Sequence, residues 1–284
     1  IKPDTYFGEL VEEGGQGMYS QGDQNKINTM SNFGFNYRTQ WDKHEIEAIG
    51  LVEMNRYKYD YHGFTGFGLI HGLDQTPSGI TPGTPENDFI PKVEGGASEN
   101  LLVSQIALLR YSYENKYTLS GSVRRDGSSR VPSANRYKYF YALGGNWNMK
   151  YEDFLIDNEV ISTARMRISY GLTGNANGFA SDFGYRRLYG PGQYNGQTGL
   201  VPTTPGNANY NWEMNRIFDL GLEVGLFKNR LVAEVDFYNR ITSDLFIDRT
   251  LSMTSGFESL PSNLGKIRNR GVEFKIAGDI IRQG

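Results

Sequence analysis

NWEMNRIFDLGLEVGLFKNRLVAEVDFYNRITSDLFIDR, residues 211–249, decides the fold. Along its first arm Phe218, Leu220, Leu222, Val224 and Leu226 alternate with Asp219, Gly221, Glu223 and Gly225. Along its second arm Leu231, Ala233, Val235 and Phe237 alternate with Val232, Glu234, Asp236 and Tyr238. Successive side chains of a strand point to opposite faces, so each arm carries one apolar face and one acidic or small face. Phe227-Lys228-Asn229-Arg230 joins the arms, and Asn229 suits a tight turn. This is a long β-hairpin. Its two faces fit a sheet on a soluble core, and equally a barrel wall with lipid outside and water inside.

Working outward, the same alternation marks nine strands, at roughly 26–40, 45–59, 100–113, 117–126, 136–149, 164–173, 212–226, 230–248 and 268–281, with a tenth near Asp4–Glu13. The fifth places Tyr137, Tyr139, Tyr141, Leu143, Trp147 and Met149 on one face and Lys138, Ala142, Gly144, Asn146 and Asn148 on the other. No segment has helical periodicity, so the chain is expected to be all-β, with helix confined to short turns, one of them within 60–99. Connections at 41–44, 114–116 and 227–229 are tight, and those at 60–99 and 174–211 are long. Tight and long connections nearly alternate, which in an up-and-down sheet trims one edge and loads the other with loops. Transmembrane barrels have this asymmetry, with short periplasmic turns and longer extracellular loops. The segment 150–163 is too long for a tight turn and breaks the pattern.

Composition narrows the class further. A mean hydropathy of -0.52 and the lack of any run of about 18 apolar residues exclude a helical membrane protein but not a barrel. A net charge of -3 without a basic stripe argues against a nucleic-acid partner. Cysteine is absent, which removes disulfides and thiolate metal sites. With 35 Gly and 19 Tyr, the chain is rich in the residues of turns and of membrane interfaces. It begins at Ile1 without a Met and ends just after an apparent strand, so it reads as a piece of a longer protein.

Catalytic and cofactor signatures are missing, and we expect neither an enzyme nor a bound cofactor or metal. His44, His62 and His71 lack metal-ligand spacing. No G-x-S-x-G occurs, and Gly66-Phe67-Gly68 does not continue into a nucleotide-binding loop. Glu223 and Glu234 stand opposite each other if Leu226 faces Leu231. That repulsion needs water, a nearby cation or a shifted register, and it fits a solvated lumen better than a glycosidase pair. Arg124 and Asp126 share the face opposite Tyr117, Leu119 and Val123. With Asp219, Glu223, Glu234 and Asp236 they are the candidate lumen network. Tyr61, Phe64, Tyr185, Tyr189 and Tyr194, in the two long loops, are the candidate substrate contacts.

Several segments resemble the SusC/RagA family of TonB-dependent outer-membrane transporters. They are RRDGSSR (124–130), NRYKYFYALGGNW (135–147), RISYGLTGN (167–175), NWEMNRIFDLGLEVGLFKNRL (211–231), DFYNRITSDLFID (236–248), TSGFES (254–259) and NLGKIRNRGVEF (263–274). They occur in the family's order and at similar spacing. The family's RDGSSRF ends in Phe where this chain has Val131-Pro132, which alters that loop. The resemblance implies part of an antiparallel transmembrane β-barrel of roughly 22 strands, residues 1–284 holding nine or ten of them and lacking the plug domain and final strands. It also implies active import of an oligosaccharide or peptide across the bacterial outer membrane, energy delivered through TonB, and a SusD-like surface lipoprotein as partner. A soluble carbohydrate-binding or adhesin domain and a passive porin are the competing readings of the residues alone.

Overall fold

The computed structural model describes residues 17–70, 72–73, 75–176 and 182–279. The expected strand near Asp4–Glu13 and His71 lie outside these. The strands are β1 (Met18–Trp41), β2 (His44–Phe67), β3 (Lys92–Tyr113), β4 (Tyr117–Ser128), β5 (Tyr137–Asn148), β6 (Ile161–Asn175), β7 (Leu188–Tyr194), β8 (Gln197–Thr204), β9 (Glu213–Leu226), β10 (Leu231–Ser243), β11 (Phe246–Thr250), β12 (Ser259–Asn263) and β13 (Lys266–Gly278). Helix among the described residues is limited to four 3-10 turns, at Pro77–Gly79, Ser133–Asn135, Met149–Tyr151 and Met253–Ser255. The long strands form one sheet in the order β1-β2-β3-β4-β5-β6-β9-β10-β13, while β7-β8 and β11-β12 are separate two-stranded sheets.

Three sequence expectations are corrected. β2 continues to Phe67 and β3 begins at Lys92, so the connection is 68–91 rather than 60–99. The segment 174–211 is not a plain loop but holds the β7–β8 hairpin, turned at Asn195-Gly196, both with positive φ. The strand expected over 230–248 breaks at Asp244, φ 57°, after which β11 leaves the main sheet and pairs with β12.

The chain divides into two compact units, Ile1–Thr29 with Arg56–Asn100, and Met30–Asn55 with Leu101–Gly284. In the first, the outward alternation on β2 is Arg56, Lys58, Asp60 and His62, and Arg56 Nε donates to Glu99 Oε1 at 2.7 Å. In the second, Val52 and Met54 hold the corresponding positions and are exposed. The change from apolar to charged along one strand face coincides with the division between the units.

Register in the second unit aligns the apolar positions into one band. Leu119 pairs with Gly145, Gly145 with Ile168, Ile168 with Leu220, Leu220 with Phe237, and Phe237 with Val272. The neighbouring row runs Trp147, Met166, Leu222, Val235 and Phe274. Leu220, Leu222, Val235 and Phe237 are exposed, Val224 and Ala233 half-buried, and none of the six is buried under a second layer. Phe274 reaches 66% exposure and Phe33 82%. A face of this extent left open in water marks a surface that meets an apolar medium or partner.

The turns close one edge of this band. Asp42, Glu114, Asn115, Phe227, Lys228 and Asn229 all have positive φ. Backbone hydrogen bonds then link neighbouring turns, Glu114 N to Lys43 O, Asn148 N to Lys116 O, Phe227 N to Val160 O and Asp279 N to Arg230 O. The segment after β5, too long for a tight turn, is nonetheless ordered. Lys150 Nζ donates to the carbonyls of Leu155, Ile156 and Asn158 at 2.8–3.1 Å. Glu152 accepts from Tyr117 Oη and from Trp147 Nε1, and these bonds, led by Tyr117, hold its carboxyl below the usual range. Trp41, His44, Tyr113, Tyr117 and Trp147 gather at this edge, with Trp41 stacked on His44 at 5.4 Å. His44 Nδ1 lies 2.8 Å from Tyr111 Oη, so this histidine is part of the aromatic cluster.

Candidate functional site

The face opposite the apolar band carries the charge. Leu226 does pair with Leu231, which sets Glu223 directly against Glu234. The repulsion is relieved by cations on both flanking strands. β6 supplies Arg165, 3.3 Å from Glu223 Oε2, and Arg167, 2.5 Å from Glu234 Oε1 and 3.0 Å from Asp236 Oδ1. β13 places Lys275 in register with Glu234. Asp219 completes the row, accepting from Ser169 Oγ at 3.4 Å.

Arg167 reaches Asp236 across an intervening strand, and Gly221 makes that possible. Arg167, Gly221 and Asp236 are in register on β6, β9 and β10. A Cβ on Gly221 would lie 2.3 Å from Asp236 Oδ1 and 3.0 Å from Arg167 Nη2. Gly221→Val is therefore expected to expel the guanidinium and leave Glu223 and Glu234 opposed. Both groups are partly exposed, so the cost should be small. Urea unfolding of the detergent-solubilised protein measures it. Most of the loss should vanish in an Arg167→Ala, Asp236→Ala background; a loss that persists there would mean simple backbone crowding.

Arg124 and Asp126 form a second, separate cluster. Arg124 Nε lies 2.6 Å from Asp126 Oδ1, and its Nη2 donates to the buried Ser104 Oγ at 2.8 Å and sits 3.8 Å from Glu53 Oε1. The candidate polar residues thus fall into two clusters, on β2–β4 and on β6–β13.

The aromatic candidates are not brought together. Tyr61 and Phe64 lie within β2 rather than in a loop, because the alternation continues to Phe67. Their odd and even positions put them on opposite faces. Tyr61 lies 5.9 Å from Tyr59, and Phe64 lies 6.3 Å from Tyr19. In the other unit, Tyr185 Oη accepts from Arg186 Nε at 3.1 Å, and the Arg186 guanidinium covers the Phe183 and Tyr185 rings at 5.9 and 5.4 Å. Tyr189 on β7 is 56% exposed, and Tyr194 ends the same strand beside the Asn195-Gly196 turn.

Sequence reading missed a packed cap at the loop-bearing end. Val131, Phe140, Ala176, Trp212 and Met214 form a buried cluster with Leu102 and Leu172 against it. Val131, where the resembled family carries Phe, is 0% exposed and helps fill this cluster. Trp212 meets Phe140 edge-on at 5.5 Å and donates from Nε1 to Asn135 O at 3.1 Å. Asn135 Nδ2 in turn donates to Tyr210 O. Asn263, the last residue of β12, joins that strand to the segment before β9, accepting from Asn211 N at 2.7 Å and donating to Asn211 O at 2.8 Å. Tyr210 is stacked on Phe246 at 5.4 Å, and burial, with a contribution from Asp248, raises its phenol well above the ordinary range. The salt bridge Arg130–Asp182, 2.6 Å, ties a further loop into this cap. Among the described residues no group of three His, Asp or Glu side chains is arranged to hold a metal.

The family model "TonB dependent receptor-like, beta-barrel" matches residues 3–281. TonB-dependent receptor P39 of Formosa agariphila is 31% identical over 264 residues, covering 90% of this chain and 25% of that protein. TonB-dependent receptor SusC of Bacteroides thetaiotaomicron is 30% identical over 288 residues, covering 92% of this chain and 28% of that protein. The solved RagAB peptide transporter superposes with a TM-score of 0.85 at 29% identity, over 93% of this chain and 29% of that one. The chain spans about a quarter of the length of these curated relatives. A two-faced antiparallel sheet with turns at one edge and packed loops at the other is thus a section of a large barrel wall, and the chain belongs to the TonB-dependent receptor β-barrel family, in its SusC/RagA branch.

Proposed function

We propose that this chain is part of the wall of a bacterial outer-membrane importer for a polar oligomer, peptide or oligosaccharide, energised through TonB. The observation that carries the reading is the two-sided wall: an apolar band outside, and inside it a row of acids bridged by Arg165 and Arg167, with Lys275 in register beside Glu234. Closure of such a sheet with further strands satisfies every backbone group within lipid, and β1 and β13 present the edges to be closed. Residues 1–284 are then less than half of a barrel of roughly 22 strands, with the plug elsewhere in the protein. RagAB is a peptide transporter, which makes peptides the first substrate class to test.

The loop-bearing edge is the extracellular one in this reading, and a SusD-like surface lipoprotein covers it as a lid. The full-length protein, purified in mild detergent, is expected to bring down a lipoprotein. Trimming 68–91 and 188–204, which spares the long strands, should abolish that association and cut uptake. If no lipoprotein accompanies the wild type and the trimmed protein transports normally, the lid is wrong. Uptake of labelled peptides and oligosaccharides in cells with and without TonB checks the rest. Undiminished uptake without TonB would make the barrel a passive pore.

A further inference from the structure

We propose that the apolar face carries a site for one phosphate-bearing lipid of the outer leaflet, its headgroup on Arg125 and an acyl chain in the groove beneath. The proposal rests on the membrane-spanning reading of this face. On β4 the alternation of Leu119 and Val123 with Ser120 and Arg124 puts Arg125 on the apolar side, away from the polar cluster that Arg124 enters. A cation on a lipid-facing wall is costly at the midplane and cheap only near the interface. The rise from Tyr117, in the aromatic cluster at the turn edge, to Arg125 is about 20 Å, at about 3.3 Å per residue and a tilt of about 40°. That height approaches the upper rim of an apolar band about 25 Å tall, where headgroups begin.

The guanidinium is held ready there. Its Nη1 donates to Gln105 Oε1 at 3.3 Å, and its Cζ stands 4.1 Å from the centre of the Tyr137 ring. Gly127, in register with Tyr137, lets that ring lie over β4, since a Cβ there would come within 2.4 Å of it. Arg124, one residue away, is matched by Asp126 and Glu53, whereas no carboxylate is paired with Arg125 among the described residues. Four of its five N–H donors are left for an outside acceptor. Their fork suits two phosphate oxygens.

Directly below lies a groove of about 470 Å³ lined by Phe33, Phe35, Val52, Ala107, Val123 and Tyr139. All of it is within one compact unit. Gln105, Arg125 and Tyr139 are in register across β3, β4 and β5, and Ala107, Val123 and Tyr141 form the next apolar row. The small Ala107 between larger side chains makes the depression. A charged, donor-rich rim over an apolar trough matches an anionic lipid and neither a free anion nor a neutral lipid.

The full-length protein in nanodiscs of phosphatidylcholine doped with phosphatidic acid, transferred to detergent and weighed by native mass spectrometry, provides the test. Wild type is expected to retain phosphatidic acid about tenfold over its share of the mixture. Arg125→Gln should bring that ratio to one, and Arg125→Lys should keep part of it. Ala107→Phe should lower retention of both lipids by filling the trough. Excess inorganic phosphate should change nothing, because it lacks the chain. A wild-type ratio in Arg125→Gln, unchanged retention in Ala107→Phe, or loss of the preference on adding phosphate would each overturn the site. Failure of the wild type to enter nanodiscs would instead refute the membrane reading beneath it.

Discussion

Replacing Trp212 by alanine is expected to cost about 3–5 kcal/mol of local stability, the range for deleting a large aromatic side chain from a packed interior. Trp212 is 2% exposed, touches Phe140 edge-on and spends its indole N–H on Asn135 O. Truncation opens a cavity and also orphans that carbonyl. The damage should be local, because the ladders of β9 and β10 below it do not depend on the indole. Protease cleavage within 205–214 and 129–136 should therefore accelerate by orders of magnitude while the strands stay protected. Trp212→Phe, which keeps most of the volume and loses only the hydrogen bond, should fall well short of that. Equal protection of these segments in wild type and Trp212→Ala would show that the cap is held from elsewhere.

The contrast between this cap and the wall explains what was legible in the sequence. The wall was readable because strand alternation is local: Leu220, Leu222, Asp219 and Glu223 declare two faces with no knowledge of any neighbour. The opposition of Glu223 and Glu234 followed from one turn, and the structure supplies its relief. The relieving Arg165 and Arg167 lie far away in sequence on β6, and only pairing of β6 with β9 brings them across Gly221. The cap joins Val131, Phe140, Ala176 and Trp212 from four separate segments, so no periodicity announces it. Asn195-Gly196 was a readable hairpin signal that composition obscured, since its flanks of Gly, Pro and Thr lack the alternation of a half-buried strand. Tyr61 and Phe64 read as loop residues because the apolar positions of β2 turn charged after Met54. Pairing rather than patterning keeps that part of the chain extended.

Leu222→Arg is the substitution that separates a lipid-facing wall from a sheet destined for a protein partner. Leu222 lies on β9 between Met166 and Val235, in the row that continues to Phe274, and is 42% exposed. In a bilayer an arginine there should destabilise the barrel by about 2–4 kcal/mol, the cost near the midplane of a transmembrane barrel. The same substitution at Leu231, the first residue of β10 beside the 227–230 turn, should cost less, because the penalty falls towards the interfaces. Glu223→Arg, one position along but on the polar face, should show no depth-dependent penalty, only the loss of its bridge to Arg165. Urea unfolding of the three variants of the full-length protein in lipid vesicles measures this order. In water the argument reverses. A leucine exposed to this extent contributes little there, and arginine in its place would be nearly neutral or improve solubility. A cost that is large for Leu222, smaller for Leu231 and unrelated to depth for Glu223 is a signature that only a hydrocarbon slab produces. Equal costs at all three positions would assign the apolar band to a protein interface.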